Sequence, residues 1–202
     1  MIGFLKKLLP RGERSRIFPR LKNAGFLTAL SEAKVPADQM PVTSLLIGDL
    51  IAAYGIDRDD RFEMVRRDDL KRLGLDRREL HHLAVANAQD QLGDSIDFLQ
   101  KEGVGRCIAG NHLTAAAILL PQVWQYWAGR MTGDLAAVVP SRDCVLFCDG
   151  ASESAMRAMR RFAEEEYAQA GTHAVSMQLL GWMGNGWTIP GTTEGLVIVG
   201  SQ

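Results

Sequence analysis

Residues 133–150, GDLAAVVPSRDCVLFCDG, set two unbroken apolar runs on either side of a short polar turn. Each run is too short for a self-standing helix and is rich in valine, leucine and phenylalanine. The stretch is therefore expected to form a hairpin of buried strands. The turn carries Pro140, Ser141, Arg142 and Asp143, which raises the question of whether it is a site or only a corner.

The same grammar recurs along the chain. Residues 15–33 read as a helical opening segment interrupted by Pro19 and Gly25, and KVPADQMP (34–41) as a linker of turn formers. SLLIGDLIAAYGI (44–56) has the apolar density of one buried strand, and RFEMV (61–65) alternates like a half-buried one, with DRDD (57–60) as a solvated turn. RRDDLKRLG predicts a short helix ended by Gly74. Asp76 and Glu79 form a capping-box start for a longer helix, whose face is Leu80, Leu83, Ala84, Asn87, Ala88 and Gln91. SIDFLQKEGVGRCIAG (95–110) predicts a hairpin turning at Glu102-Gly103. Asn111 is expected to cap the next helix, with a kink or a new first turn at Pro121. A helix over 152–170 and a closing set of strands follow, with Trp182 and Trp187 facing each other across Gly184-Asn185-Gly186.

Hairpins separated by helices define an α+β class: antiparallel β-hairpins alternating with helices, the helices packed on one side of the sheets. The expected organisation is an N-terminal helical segment and linker over 1–40 and a single α+β domain over 41–202. GDLIAAYGIDRD at 48 and GDLAAVVPSRD at 133 share Gly-Asp-Leu, an alanine and an Arg-Asp pair, and each leads through a hairpin to a charged helix. An internal ββα repeat is one reading. The physical reading needs no common ancestry: Gly48 and Gly133 relax strand entry, and Asp49 and Asp134 bond neighbouring amides.

Composition narrows the function. With 202 residues, 47% hydrophobic and 23% charged, the chain matches an ordinary globular domain rather than a disordered one. A net charge of −1 argues against a nucleic-acid binder. The basic start MIGFLKKLLP reads as a short docked helix, with a peripheral membrane contact through residues 1–9 as the alternative. It lacks the apolar core of a signal peptide, and no window approaches a membrane span. Cys144 and Cys148 share a strand face about 13 Å apart, beyond the ~7 Å that a disulfide tolerates. With Cys107 they point to the reducing cytoplasm.

Catalytic constellations are weak. The four histidines, His81, His82, His112 and His173, lack a metal-ligand spacing. Glu79-x-x-His82 stands without the second copy that a bridged metal site uses. No metal or other cofactor is expected. CDGASESA approaches a nucleophile elbow at Ser152, but Ser154 replaces the final glycine, and a helix N-cap explains Ser152 with less assumption.

Three stretches carry a resemblance. LKRLGLDRRELHHLAVANAQDQL, GDLAAVVPSRDCVLF and THAVSMQLLGWMGNGW are similar to the helix, strand pair and closing hairpin of the YtpQ-like family of uncharacterised bacterial proteins. Ala88 departs from that family's usual leucine. The resemblance implies an architecture and no reaction. The expected function is therefore a non-enzymatic bacterial cytoplasmic protein that binds another protein, such as an immunity-type inhibitor of a cognate toxin. A small serine hydrolase using Ser152 is the alternative. The candidate binding residues are the two charged corners, Arg58, Asp59 and Asp60 on one side and Arg142 and Asp143 on the other.

Overall fold

The computed structural model describes residues 11–58, 61–93, 96–109, 112–192 and 195–196. The described residues open with a single helical turn, α1 (Arg11–Arg14), then strand β1 (Ile17–Asn23) and helix α2 (Gly25–Glu32). Residues 17–23 are thus a strand, where their composition suggested a helix. The reason is non-local: β1 pairs antiparallel with β3 (Leu50–Asp57) along its whole length, Ile17 opposite Ile56 and Asn23 opposite Leu50. Pro19 is tolerated because β1 lies at the sheet edge, where a missing N–H breaks no ladder. Both β2 (Thr43–Ile47) and β4 (Phe62–Met64) also pair directly with β3, β2 against Leu50 to Ala53 and β4 against Gly55 to Asp57.

The run 44–56 is not one strand but two. Gly48, at φ +54°, takes the left-handed conformation that turns β2 into β3. The neighbouring Asp49 carboxylate accepts from Asn23 Nδ2 (2.7 Å) and Ser176 Oγ (2.6 Å), side chains rather than the expected amides. The amide-binding role falls to Asp149 instead. It accepts the N–H groups of Thr132 (2.7 Å), Ala151 (2.9 Å) and Gly133 (3.0 Å). The Thr132 hydroxyl, followed by these amides, holds the carboxyl down to about 2.

Helices α3 (Arg67–Leu73) and α4 (Arg77–Leu92) follow. Gly74 ends α3 at φ +63°, and the Asp76–Glu79 capping box closes with two 2.8 Å bonds. The second sheet has seven antiparallel strands: β5 (Asp97–Lys101), β6 (Val104–Ile108), β7 (Leu135–Ser141), β8 (Cys144–Asp149), β9 (Leu180–Met183), β10 (Gly186–Thr188) and β11 (Gly195–Leu196), in the order β11-β10-β9-β7-β8-β6-β5. Glu102 and Gly103 both have positive φ, as a tight β5–β6 turn requires. Between β6 and β7 a 3₁₀ segment (Thr114–Leu119) gives way to α5 (Pro121–Ala128), with Pro121 as its first residue. Asn111 lies outside the described residues. Helix α6 (Glu153–Ala170) links β8 to β9.

The α+β class is plain in this arrangement. The helical cover of the larger sheet lies on both faces, however, because β7 from Leu135 to Pro140 and β8 from Cys144 to Cys148 are apolar at successive positions rather than alternating. Leu135, Ala137, Val139, Val145 and Phe147 point into a core shared with the smaller sheet, α4, α5 and the 3₁₀ segment. Ala136, Val138, Cys144, Leu146 and Cys148 meet Ala155, Met159 and Ala163 of α6. Asn87, on the predicted inner face of α4, ties that helix to α1 and β1 by donating to Arg14 O (2.7 Å) and Ile17 O (2.9 Å).

The two Gly-Asp-Leu copies occupy like places, each entering a strand that leads through an antiparallel partner to helix. Their glycines serve different needs. Gly48 supplies a positive φ, whereas a Cβ at Gly133 would come within 2.5 Å of the Ala151 Cβ.

Candidate functional site

Alternation along β1 puts Arg20 and Lys22 on one face. They open onto a recess of about 230 Å³ whose other walls are Phe62 and Met64 of β4, Arg142 at the β7–β8 corner, and Thr172 and His173 of the 3₁₀ turn Gly171–His173. The Arg20 guanidinium lies 3.7 Å from the centre of the Phe62 ring, and its Nη1 donates to His112 O (2.7 Å). Lys22 Nζ stands 5.4 Å from the Phe26 ring. Neither cation makes an ion pair with a carboxylate among the described residues. Burial, then the like charge of Arg142, pushes the Arg20 guanidinium down to about 10. Lys22 is lowered by burial, then by Arg20 and Arg142. His112, edge-on to Phe62 at 4.6 Å between ring centres, is lowered by burial and by Arg20, which favours its neutral form. Its Nε2 is buried without a hydrogen-bond partner among the described residues.

The Arg142–Asp143 corner is held from both sides. Arg142 N donates to His173 O (2.9 Å), and Arg142 O accepts from Ala115 N (3.0 Å). Beside it Ser141 Oγ donates to Glu166 (2.8 Å), which also receives Arg106 Nη2 (2.8 Å). The two side chains form a fork, Nε to Oδ1 and Nη2 to Oδ2, both 3.0 Å. This predicted corner therefore forms one lip of the recess, on a backbone clamped by two 3₁₀ segments.

The other corner is differently placed. Arg58 donates to Glu13 and to Glu63 (3.0 Å), and Arg72 also reaches Glu13 and Asp69. These pairs link α1, β4 and α3, and the two arginines hold the Glu13 carboxyl below the ordinary range despite its burial. Asp59 and Asp60 lie outside the described residues, as does the basic stretch 1–9. Arg58→Glu would set three carboxylates together and is expected to cost about 1–2 kcal/mol, the sum of two partly exposed pairs lost and repulsion gained. Arg142→Glu is expected to stay within about 0.5 kcal/mol of the parent. Urea unfolding of both variants checks the contrast; equal losses would show that both corners are structural.

Arg20 and Lys22 were not among the sequence candidates. Their only signal is the basic excess of residues 1–22, where Lys6, Lys7, Arg11, Arg14, Arg16, Arg20 and Lys22 stand against Glu13 alone, and it does not say which of these seven cations converge. The remaining chemical candidates are accounted for locally. Ser152 Oγ accepts from Ala155 N (3.3 Å) as the α6 cap and meets Ser154 Oγ at 3.2 Å. The cysteine thiols are pushed up by burial, to about 12 for Cys107 and Cys144 and about 11 for Cys148. His81 Nδ1 lies 2.8 Å from the Tyr54 hydroxyl, which also donates to Ser44. Among the described residues no three His, Cys, Asp or Glu side chains gather in a metal-binding group, and no helix is long and apolar enough to cross a membrane.

Fold and recess together define an α+β protein with a cationic cleft formed by parts of both sheets. No protein-family model, curated protein or solved structure matches the chain.

Proposed function

We propose that this chain is a non-catalytic binding protein that docks a partner protein at the recess, an anionic group of the partner entering between Arg20, Lys22 and Arg142. The observation that carries this reading is the pair of half-buried cations that have no carboxylate partner among the described residues. Burying charge is costly unless it is paired, so a fold that holds two cations beside a third stores an attraction for an anion. Arg142, presented with its Asp143 partner at the lip, suits a rim contact that steers association. The apolar Phe62 and Met64 sharing the recess supply the water-excluding wall that makes such a contact stronger. Neutralising a toxin by direct contact is one form of this binding and stays within the proposal. So does membership of the YtpQ-like family, which rests on the three motifs alone.

A photo-crosslinking residue in place of Thr172, at the recess wall, tests the reading in cells of the source organism. It is expected to give a discrete adduct that is lost when Lys22→Glu is added. The same residue at Glu164, on the outer side of α6, is expected to give none. Adducts formed from position 164, or from 172 irrespective of Lys22→Glu, would place the docking surface elsewhere.

A further inference from the structure

We propose that the recess selects a doubly charged phosphomonoester group, carried by the partner, over a singly charged carboxylate. The inference rests on the reading above, that an anionic group enters this recess, and adds the chemical identity of that group. Its basis is the charge left over. Three positive side chains, Arg20, Lys22 and Arg142, share the recess. One carboxylate, Asp143, neutralises Arg142 through the two-bonded fork. The other carboxylate that acts on Arg20, Asp57, is paired with Arg16 at 3.9 Å. Among the described residues two positive charges therefore stay uncompensated. A carboxylate supplies one negative charge; a phosphomonoester supplies close to two above its second ionisation near pH 6.

Donor count agrees with charge count. Arg20 uses Nη1 on His112 O, which leaves the rest of its five-donor fork available, and Lys22 adds an ammonium with three donors. Three phosphoryl oxygens can occupy such a set, and the planar guanidinium matches their spacing. Arg20 is also fixed in direction by the Phe62 ring beneath it, so little side-chain freedom is lost on binding. The volume of about 230 Å³ exceeds several waters at about 30 Å³ each, enough for a tetrahedral group. Because Arg20, Lys22 and Arg142 repel one another when the recess is empty, a dianion relieves the repulsion more fully than a monoanion.

Calorimetric titration at pH 8 and low salt distinguishes these cases with three small probes: N-acetyl-phosphoserine N-methylamide, its methyl phosphodiester, and N-acetyl-glutamate N-methylamide. The first carries two charges and the others one, and pH 8 lies above the ordinary imidazole pKa of about 6.5, so the neutral form of His112 that burial favours is the one present. The monoester is expected to bind about tenfold tighter or more than either monoanion, in line with one additional charge-assisted contact. Lys22→Met is expected to abolish that preference, whereas Lys22→Arg retains it; melting curves of both establish that they are folded. Equal binding of all three probes would overturn dianion selection while leaving anion docking intact. Absence of binding by every probe would overturn both readings, and a monoester affinity untouched by Lys22→Met would exclude this recess as its site.

Discussion

Replacing Trp187 with alanine is expected to destabilise the fold by about 3–5 kcal/mol, the range for removing a large buried aromatic. Trp187 is fully buried and meets two other indoles, Trp182 across the β9–β10 turn (5.0 Å between ring centres) and Trp124 of α5 (5.2 Å). It also anchors the 3₁₀ segment, because its Nε1 donates to Ile118 O (2.9 Å), and Trp124 Nε1 donates to Ala117 O (2.7 Å) one residue away. Alanine would remove the ring contacts, open a cavity and leave a buried carbonyl without its donor. For a chain of this length, each kcal/mol shifts the melting temperature by about 2–4 °C, so the loss should exceed 6 °C. Trp187→Phe keeps most of the apolar volume and is expected to lose less. Thermal unfolding followed by circular dichroism reads both variants; a shift of a degree or two for the alanine variant would show that the indole cluster is not a keystone of the core.

Gly105→Ala is expected to cost about 1–3 kcal/mol through overpacking, although alanine is the better strand former. Gly105 lies directly opposite Phe147 in the β6–β8 register. A Cβ there would fall 2.2–2.6 Å from three atoms of the Phe147 ring. The ring has nowhere to retreat, since it is fully buried and packed against Phe98, Trp124 and Trp127 at 5.8, 5.6 and 4.9 Å between ring centres. Pairing the change with Phe147→Leu gives a direct check. If the clash is the cause, the double variant in a denaturant titration should be more stable than the sum of the two single losses. Simple additivity would instead assign the cost of Gly105→Ala to another part of the structure.

Gly105 also shows where sequence reading meets its limit. Its place in a hairpin was legible from the alternation and the Glu102-Gly103 turn, but the ring that forbids a side chain belongs to a strand some forty residues later. The elements read correctly from sequence are those whose causes are local. The Asp76–Glu79 box, the Gly74 stop, the Ser152 cap and the Pro121 helix start each depend on a few neighbouring backbone groups. The apolar runs on either side of Ser141-Arg142-Asp143 were enough for a buried hairpin because a strand buried on both faces has no alternation to conceal.

What needed tertiary structure had distant causes. Residues 17–23 carry a proline and two cations, a poor strand by composition, and become one because β3 offers a full-length antiparallel partner. The split of 44–56 into β2 and β3 hangs on Gly48, whose left-handed turn is braced by Asp49 bonding to Ser176 far along the chain. The two charged corners look alike in sequence, yet one arginine is spent on Glu13 and Glu63 while the other borders a recess. By itself the sequence determined that this protein is a set of hairpins and helices with capped ends and a turn at Arg142-Asp143. Only the packing of the two sheets brought that turn against Arg20 and Lys22, because side-chain charge is carried by the residue but its convergence is set by which strands pair.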